Sequence, residues 1–550
     1  MRQVADRAMM LAALGVVTGA LLLGLASGSR AAPEGQDKAD AKAQASCGYL
    51  AKGPTKDTAG DLNAGIQACE LCHIGSTKGQ AAKFLKVYQS DEFVLLNESE
   101  TWVQSDIHSQ AMKCLNAPLG KQMSKNLGYN VAEAPQCLAC HSADKSPTKP
   151  LADKKYKDFA TAEGGVNCTV CHGLHERWQS DHYKTPDQEG QPLPWRSKSP
   201  DYKWERGMTD LRNPVVKAKL CVSCHIGNAG EGKVVTHEMY AAGHPPLPPF
   251  ELASFMEGEP KHWAYPTDPR LKFFAQLPVE ERWSKFHYHA EKDESYLSRH
   301  YATGAIAALR AEAELLMVDA ESNVKGGEGM DFARFDCYAC HHDLKYPSER
   351  QKRGYEGPPG RPTLRTATGL PAGLVAKHAE GIEAGGLKAK ATGFEEKWSA
   401  LRKAATSRPF GDPAKVKDTA KGVVDWCDAF LAVQCDTPVP LYSTEQAKRL
   451  RDMVAEAATS PGALADAEAA MSLAWGYTTL AKEAKVMFPE AKLGALGKVI
   501  PLNVRVAPFN ETSKDGTINP VPAQFPPRMK AVNAFESTPF SNAFKGLLGK

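Results

Sequence analysis

The sequence predicts a mostly α-helical protein with extensive irregular chain, organised by covalently attached groups more than by secondary structure. Three observations predict this. The pattern Cys-x-x-Cys-His occurs five times, at Cys69-Cys72-His73, Cys137-Cys140-His141, Cys168-Cys171-His172, Cys221-Cys224-His225 and Cys337-Cys340-His341. Strand signals are sparse across residues 63–345, which hold all five motifs; the longest periodic stretch there, Pro278 to Val318 with Leu309, Leu315 and Leu316 near its end, reads as a long helix. Residues 376–499 carry helix caps and apolar stripes but no motif.

Each motif has the spacing of a c-type haem attachment site. Two thiols three positions apart reach the two vinyl groups on one porphyrin edge, and the following histidine turns under the ring to ligate the iron. With 14 Cys and 16 His in 550 residues, chance would give such a pattern about 0.01 times. Zinc is the competing use of Cys-x-x-Cys pairs, but it needs pairs at short, regular separations to complete four ligands. Here successive motifs start 68, 31, 53 and 116 residues apart, and each carries its histidine. The expected cofactors are therefore five covalently bound haem c groups, in a multihaem cytochrome c fold with an added C-terminal helical region.

The N-terminus fits that chemistry. Residues 1–31 combine Arg2 and Arg7, an apolar run from Met9 to about Gly28 and a Ser29-Arg30-Ala31 cleavage site, which reads as an export signal. Covalent haem of this kind is attached outside the bacterial cytoplasm, so the expected location is periplasmic or otherwise exported. The apolar run also approaches spanning length, so an uncleaved anchor is the alternative form of membrane contact. Residues 32–62 are a flexible lead-in. Removing residues 1–31, with three Arg and one Asp, leaves 64 basic against 63 acidic residues. That balance does not indicate a nucleic-acid partner.

Ten of the 14 cysteines belong to motifs, leaving Cys47, Cys114, Cys427 and Cys435, whose pairing the sequence does not give. Residues 346–375 are a Gly/Pro linker. Beyond it, Asp412-Pro413 has the form of an N-cap and first helical position, with Val416, Ala420, Val423 and Phe430 on one face. Ser443 with Gln446 reads as a capping box for a helix burying Leu450, Met453, Val454 and Ala457, and Ser460-Pro461 opens another. Residues 500–550 read as an extended tail. This half holds no catalytic pattern; packing against the haem region or docking a partner is its expected role.

Five histidines are proximal, which leaves eleven; Met112, Met123 and Met239 are the rival sixth ligands. The stretches WVQSDIHSQAMKCLNAPLGKQM, APQCLACH, GGVNCTVCHG and LCVSCHIG…VTHEMYAAGHPPLPPFE resemble multihaem cytochromes c related to the tetrahaem carrier that accepts electrons from hydroxylamine oxidoreductase. The resemblance runs from about residue 63 to 265, and FDCYACHHDL resembles an extra haem site. It implies that His108, His182 and at least one of His237 and His244 are distal ligands. Local pattern agrees: His108 lies in a short helix candidate, His182 closely follows the third motif, and His237 and His244 precede Pro245-Pro246 at a turn. His262 is a candidate for the fifth haem, and His287, His289 and His300 are candidates on the long helix. His175 is too close to its own motif, His342 adjoins a proximal ligand, and His378 lies outside the motif region.

The expected function is electron transfer between redox partner proteins through closely packed haems with bis-histidine ligation. The alternative is an oxidoreductase acting on a small nitrogen or sulfur compound at one open iron. The resemblance implies such an iron at the second motif, that of His141. Against catalysis, the chain has no Cys-x-x-Cys-Lys motif of the kind pentahaem nitrite reductases use.

Overall fold

The computed structural model describes residues 69, 73, 97–143, 165–173, 178–182, 200–262, 294–326, 330–341, 346–347, 360–436, 441–460, 467–502 and 535–549. Residues 1–31, the lead-in, Cys47, Cys72, His175, His287, His289, His342, Pro461 and the expected long helix before residue 294 lie outside them. Among the described residues there is no β-sheet, only isolated bridges between Asn228 and Lys233 and between Phe335 and Leu364. None of the described helices is long and apolar enough to cross a membrane.

The motif-bearing part is built from short helices: α1 (Glu98–Ser105), α2 (Ala111–Asn116), α3 (Pro118–Leu127), α4 (Pro135–His141), α5 (Cys168–His172), α6 (Pro214–His225), α7 (His237–Ala242) and α8 (Leu252–Gly258). Proline at the first position opens α3, α4 and α6, where its missing N–H costs nothing. The second and fourth motifs end α4 and α6, and the third is the whole of α5. Helical spacing explains the placement, since positions i, i+3 and i+4 share one face. Motif thiols and histidine therefore point the same way.

The continuation of the chain is α9 (Tyr296–Val324), 29 residues and so about 43 Å long at 1.5 Å per residue. Every residue from Leu297 to Leu309 is buried. Its small residues permit this: Ala302, Gly304, Ala305, Ala307 and Ala308 let neighbours close in from all sides. A Cβ on Gly304 would stand 2.4 Å from that of Leu252, so α8 crosses where no side chain fits. The N-terminus of α9 is capped from a distance, with Glu483 accepting from the Leu297 amide at 2.6 Å and the Ser298 amide at 3.1 Å. A carboxylate there also complements the helix dipole.

The rest is α10 (Gly369–Ala379), α11 (Phe394–Thr406), α12 (Pro413–Asp436), α13 (Thr444–Thr459), α14 (Ala467–Glu483) and α15 (Ser537–Leu548), with shorter helices between. α12 starts at Pro413 and buries Val416, Ala420, Val423 and Phe430 along α9. A single core runs from Val215 of α6 through α9 to Leu547 of α15. The motif-free helices are thus continuous with the motif region through α9.

Three expectations are corrected. The Gly/Pro stretch is helical from Gly369 on, because Pro371 falls in the first turn of α10, where it is tolerated. The tail is not extended throughout: α15 buries Phe540, Phe544 and Leu547, an i, i+4, i+7 stripe obscured by its small polar neighbours. The capping box is half made. Ser443 accepts from the Gln446 amide at 3.3 Å, but the Gln446 side chain donates to the Gly381 carbonyl at 3.5 Å, where α10 offers an orphan acceptor.

Candidate metal centres

Four of the five motif histidines face a second imidazole from elsewhere in the chain. Ring centres are 6.2 Å apart for His225 and His108, 6.4 Å for His141 and His244, 6.4 Å for His172 and His262, and 6.2 Å for His341 and His237. A metal binds an imidazole nitrogen at about 2.0 Å, and that nitrogen lies roughly 1.1 Å from its ring centre, so two imidazoles sharing one ion have centres about 6.2 Å apart. The observed separations match, and the residues fit a metal held between each pair.

The hydrogen bonds point the same way. Nδ1–H donates to the Ala111 carbonyl from His141 at 2.8 Å, to the Pro245 carbonyl from His244 at 2.7 Å and to the Pro260 carbonyl from His262 at 3.2 Å. Nδ1 of His73 donates to Glu98 at 2.8 Å. Tying Nδ1 fixes the tautomer that leaves the Nε2 lone pair for a metal. Charge state agrees for three rings, while His141, raised against burial to about 9 by Cys114, and His108, raised to about 10, would each release a proton on binding a metal. Burial and the adjacent His108 hold His225 down at about 3; burial and His141 hold His244 at about 4; burial, His262 and His73 hold His172 at about 4. All three are neutral at ordinary pH, as ligation requires.

His108 has the most elaborate support. Asp106 caps the turn Ile107–Gln110 by accepting from the His108 amide at 2.9 Å, and the same oxygen takes Nδ1–H at 2.9 Å. Glu259 lies 3.4 Å from Nδ1 on the other side. Burial opposes charge on this ring, but the two carboxylates outweigh it and raise His108 to about 10; Asp106 falls to about 2 despite burial because of the same contact.

Backbone contacts hold the sites together. The His108 carbonyl accepts from the Val166 amide at 3.1 Å, and a Cβ on Gly165 would come within 2.6 Å of that oxygen, so glycine permits the approach. Trp102 donates to the Val166 carbonyl at 3.0 Å. Asn213 caps α6 by accepting from the Val215 amide at 2.9 Å while its Nδ2 donates to the Cys435 carbonyl at 2.9 Å. Adjacent motifs meet through their thiols: Cys140 lies in electrostatic contact with Cys224, and Cys171 with Cys221. Cys168 stands likewise near His73.

The remaining expected residues divide clearly. His182 packs edge-on against Trp178 with ring centres 5.1 Å apart. His262 faces His172 rather than the fifth motif, because the chain after α8 returns beside α5. His300 is not set for ligation: Nδ1 donates to the Tyr296 carbonyl at 2.8 Å and Nε2 lies 3.4 Å from Lys217 Nζ. His378 is buried on Tyr442 and donates to the Gln446 carbonyl at 2.8 Å. Met112 and Met123 fill a small core with Leu115, Val131 and Leu138, and Met239 lies in α7. Cys114 is a free thiol 3.4 Å from His141 Nδ1. Cys427 is free and buried, whereas Cys435 is disulfide-bonded, so these two do not pair with each other. The carboxylates Asp106, Glu259 and Glu98 escaped sequence reasoning; only Asp106, two residues from His108, carried a local signal.

Histidine-paired centres beside paired thiols, on a scaffold of short helices, are the arrangement that a multihaem c-type cytochrome requires. Residues 68–173 match the family described as Cytochrome c554 and c-prime, and this stretch is a domain of that multihaem family, whose members are electron carriers with covalent haem c. The matched stretch contains the first three motifs; the fourth, the fifth and the facing histidines beyond His108 lie outside it. Comparisons with curated proteins and with solved structures gave no match.

Proposed function

We propose that the chain is an exported pentahaem cytochrome that passes electrons between redox partner proteins. The observation that carries this reading is the set of four imidazole pairs at 6.2–6.4 Å. In this reading Cys69, Cys72, Cys137, Cys140, Cys168, Cys171, Cys221, Cys224, Cys337 and Cys340 form the thioethers, and the five motif histidines bind the proximal faces. His108, His237, His244 and His262 take the distal faces opposite His225, His341, His141 and His172. His182 goes to the iron of His73, the one motif histidine left once four pairs are made.

Bound haem supplies a one-electron iron couple. The paired histidines would hold each metal from two sides, which would keep substrate off it and leave electron exchange as the remaining chemistry. The thiol contacts between motifs favour closely spaced centres. His244 bears on the alternative, because it occupies the side of His141 where a catalytic iron would need an open position. A periplasmic or otherwise exported location is supported by the chemistry of attachment and by the export-signal pattern of residues 1–31.

The test is an intact mass of the purified protein together with low-temperature EPR and carbon monoxide addition after reduction. Five haems, low-spin signals and no carbon monoxide response are expected. A high-spin ferric signal with carbon monoxide binding at one haem would overturn carriage as the sole role.

A further inference from the structure

The second and fifth motifs are 200 residues apart from Cys137 to Cys337, yet their facing histidines come from one short piece of chain. His237 begins α7 and faces His341; His244 stands two residues beyond its end and faces His141. Both ends of α7 are anchored. At the start, the His237 amide donates to Asp331 Oδ1 at 2.9 Å, an oxygen that also accepts from the Ala333 amide at 2.7 Å in the approach to the fifth motif. At the finish, Asn126 of α3, packed beside the second motif, donates to the Ala242 carbonyl at 2.9 Å. Between them Tyr240 lies 5.9 Å from the His244 ring and in electrostatic contact with the Cys337 thiol.

We propose that α7 and the turn after it form an electron bridge joining the fifth motif's centre to the second's, with Tyr240 packed between. The fifth centre thus extends the chain from the second motif. His244 has a double role: it closes the second iron and sets that iron one helix away from the fifth. The proposal rests on the ligand assignments above. It goes beyond them in fixing which centres are neighbours.

The experiment uses the full-length protein carrying all its haems. His237→Ala is expected to retain five covalent haems by mass and to give one new high-spin ferric signal. A high-spin iron broadens the EPR signal of a nearby low-spin one, and the broadened signal should be the one that disappears in His244→Ala. Broadening of a different signal, such as the one lost in His108→Ala, would overturn the bridge while leaving the ligands in place. Five haems with no new high-spin signal would instead remove His237 as a ligand, and the bridge with it. Should His237→Ala not assemble, His237→Met retains a sixth ligand and shifts the fifth iron's potential. The low-spin signal lost in His244→Ala should then vanish at a shifted potential during reduction; a shift confined to another signal overturns the bridge.

Discussion

The imidazole planes of His141 and His244 stand at 81° to each other with their centres 6.4 Å apart. The residues come from separate segments, and each ties its Nδ1 to a backbone carbonyl, so both present Nε2 to the space between. The resemblance read from the sequence implies an open face at the iron of His141, and His244 stands across from His141 there.

Replacing His244 with Ala should reopen it. One haem is expected to turn high-spin in the ferric state and to bind carbon monoxide once reduced, with the covalent haem count unchanged. Carbon monoxide titration beside the parent protein checks this, and an identical response from the two proteins would remove His244 from the ligand set.

The carboxylates on His108 should set a potential. A carboxylate accepting Nδ1–H makes imidazole a stronger donor and favours the ferric iron. Asp106→Asn and Glu259→Gln should therefore each move one haem to a more positive midpoint, and the double variant should move it further. Glu98→Gln should move a different haem, that of His73, in the same direction. Spectroelectrochemical titration reads all of these; unmoved midpoints would mean that the contacts only position the rings.

His378 predicts acid sensitivity in the motif-free helices. Burial lowers it from 6.5 in the open chain to about 4 in the fold, and Nδ1 has no acceptor for a second proton. Between those values the unfolded chain binds more protons, so stability rises with pH across the window and is lost as pH falls from about 6.5 toward 4. The loss is at most about 3.5 kcal/mol, from roughly 1.4 kcal/mol per pH unit. His378→Phe should flatten this part of the pH dependence in urea melts, while costing about 1 kcal/mol at pH 7 for the lost hydrogen bond to the Gln446 carbonyl.

Gly304→Ala tests the crossing of α8 and α9. Alanine favours a helix over glycine by about 1 kcal/mol, but the new methyl would collide with Leu252 at 2.4 Å. Overpacking costs typically about 1–3 kcal/mol, so a lower melting temperature is expected. Leu252→Ala added to this variant should recover little of the loss, because alanine keeps the Cβ that the new methyl meets. A rise in melting temperature from Gly304→Ala alone would show that α8 can move aside.

The sequence made some of this legible and left the rest hidden for physical reasons. Five motifs are local patterns, and so is the Asp412-Pro413 start of α12; both need only neighbours in the chain. The stretches around His108, His237 and His244 marked those residues as ligand candidates, but no local pattern says which iron a distal histidine serves. His262 illustrates this, since it meets His172 only because α8 turns the chain back. The support of α9 by Glu483 was equally invisible, because cap and helix lie 186 residues apart. In α15 the apolar period was present, but Pro, Asn and Ser around it argued more loudly for an open tail.

Asn213 carries a consequence for how the molecule is made. Its amide nitrogen holds Cys435 across 222 residues, and Ser295, just ahead of α9, donates its amide to the Tyr442 carbonyl at 2.6 Å. Synthesis runs from the N-terminus, so all five motifs emerge before the residues that clamp this part of the fold. The last third of the sequence therefore closes this part of the fold only once nearly the whole chain exists, so a chain cut short before Cys435 and Tyr442 would keep every motif and lose the clamp.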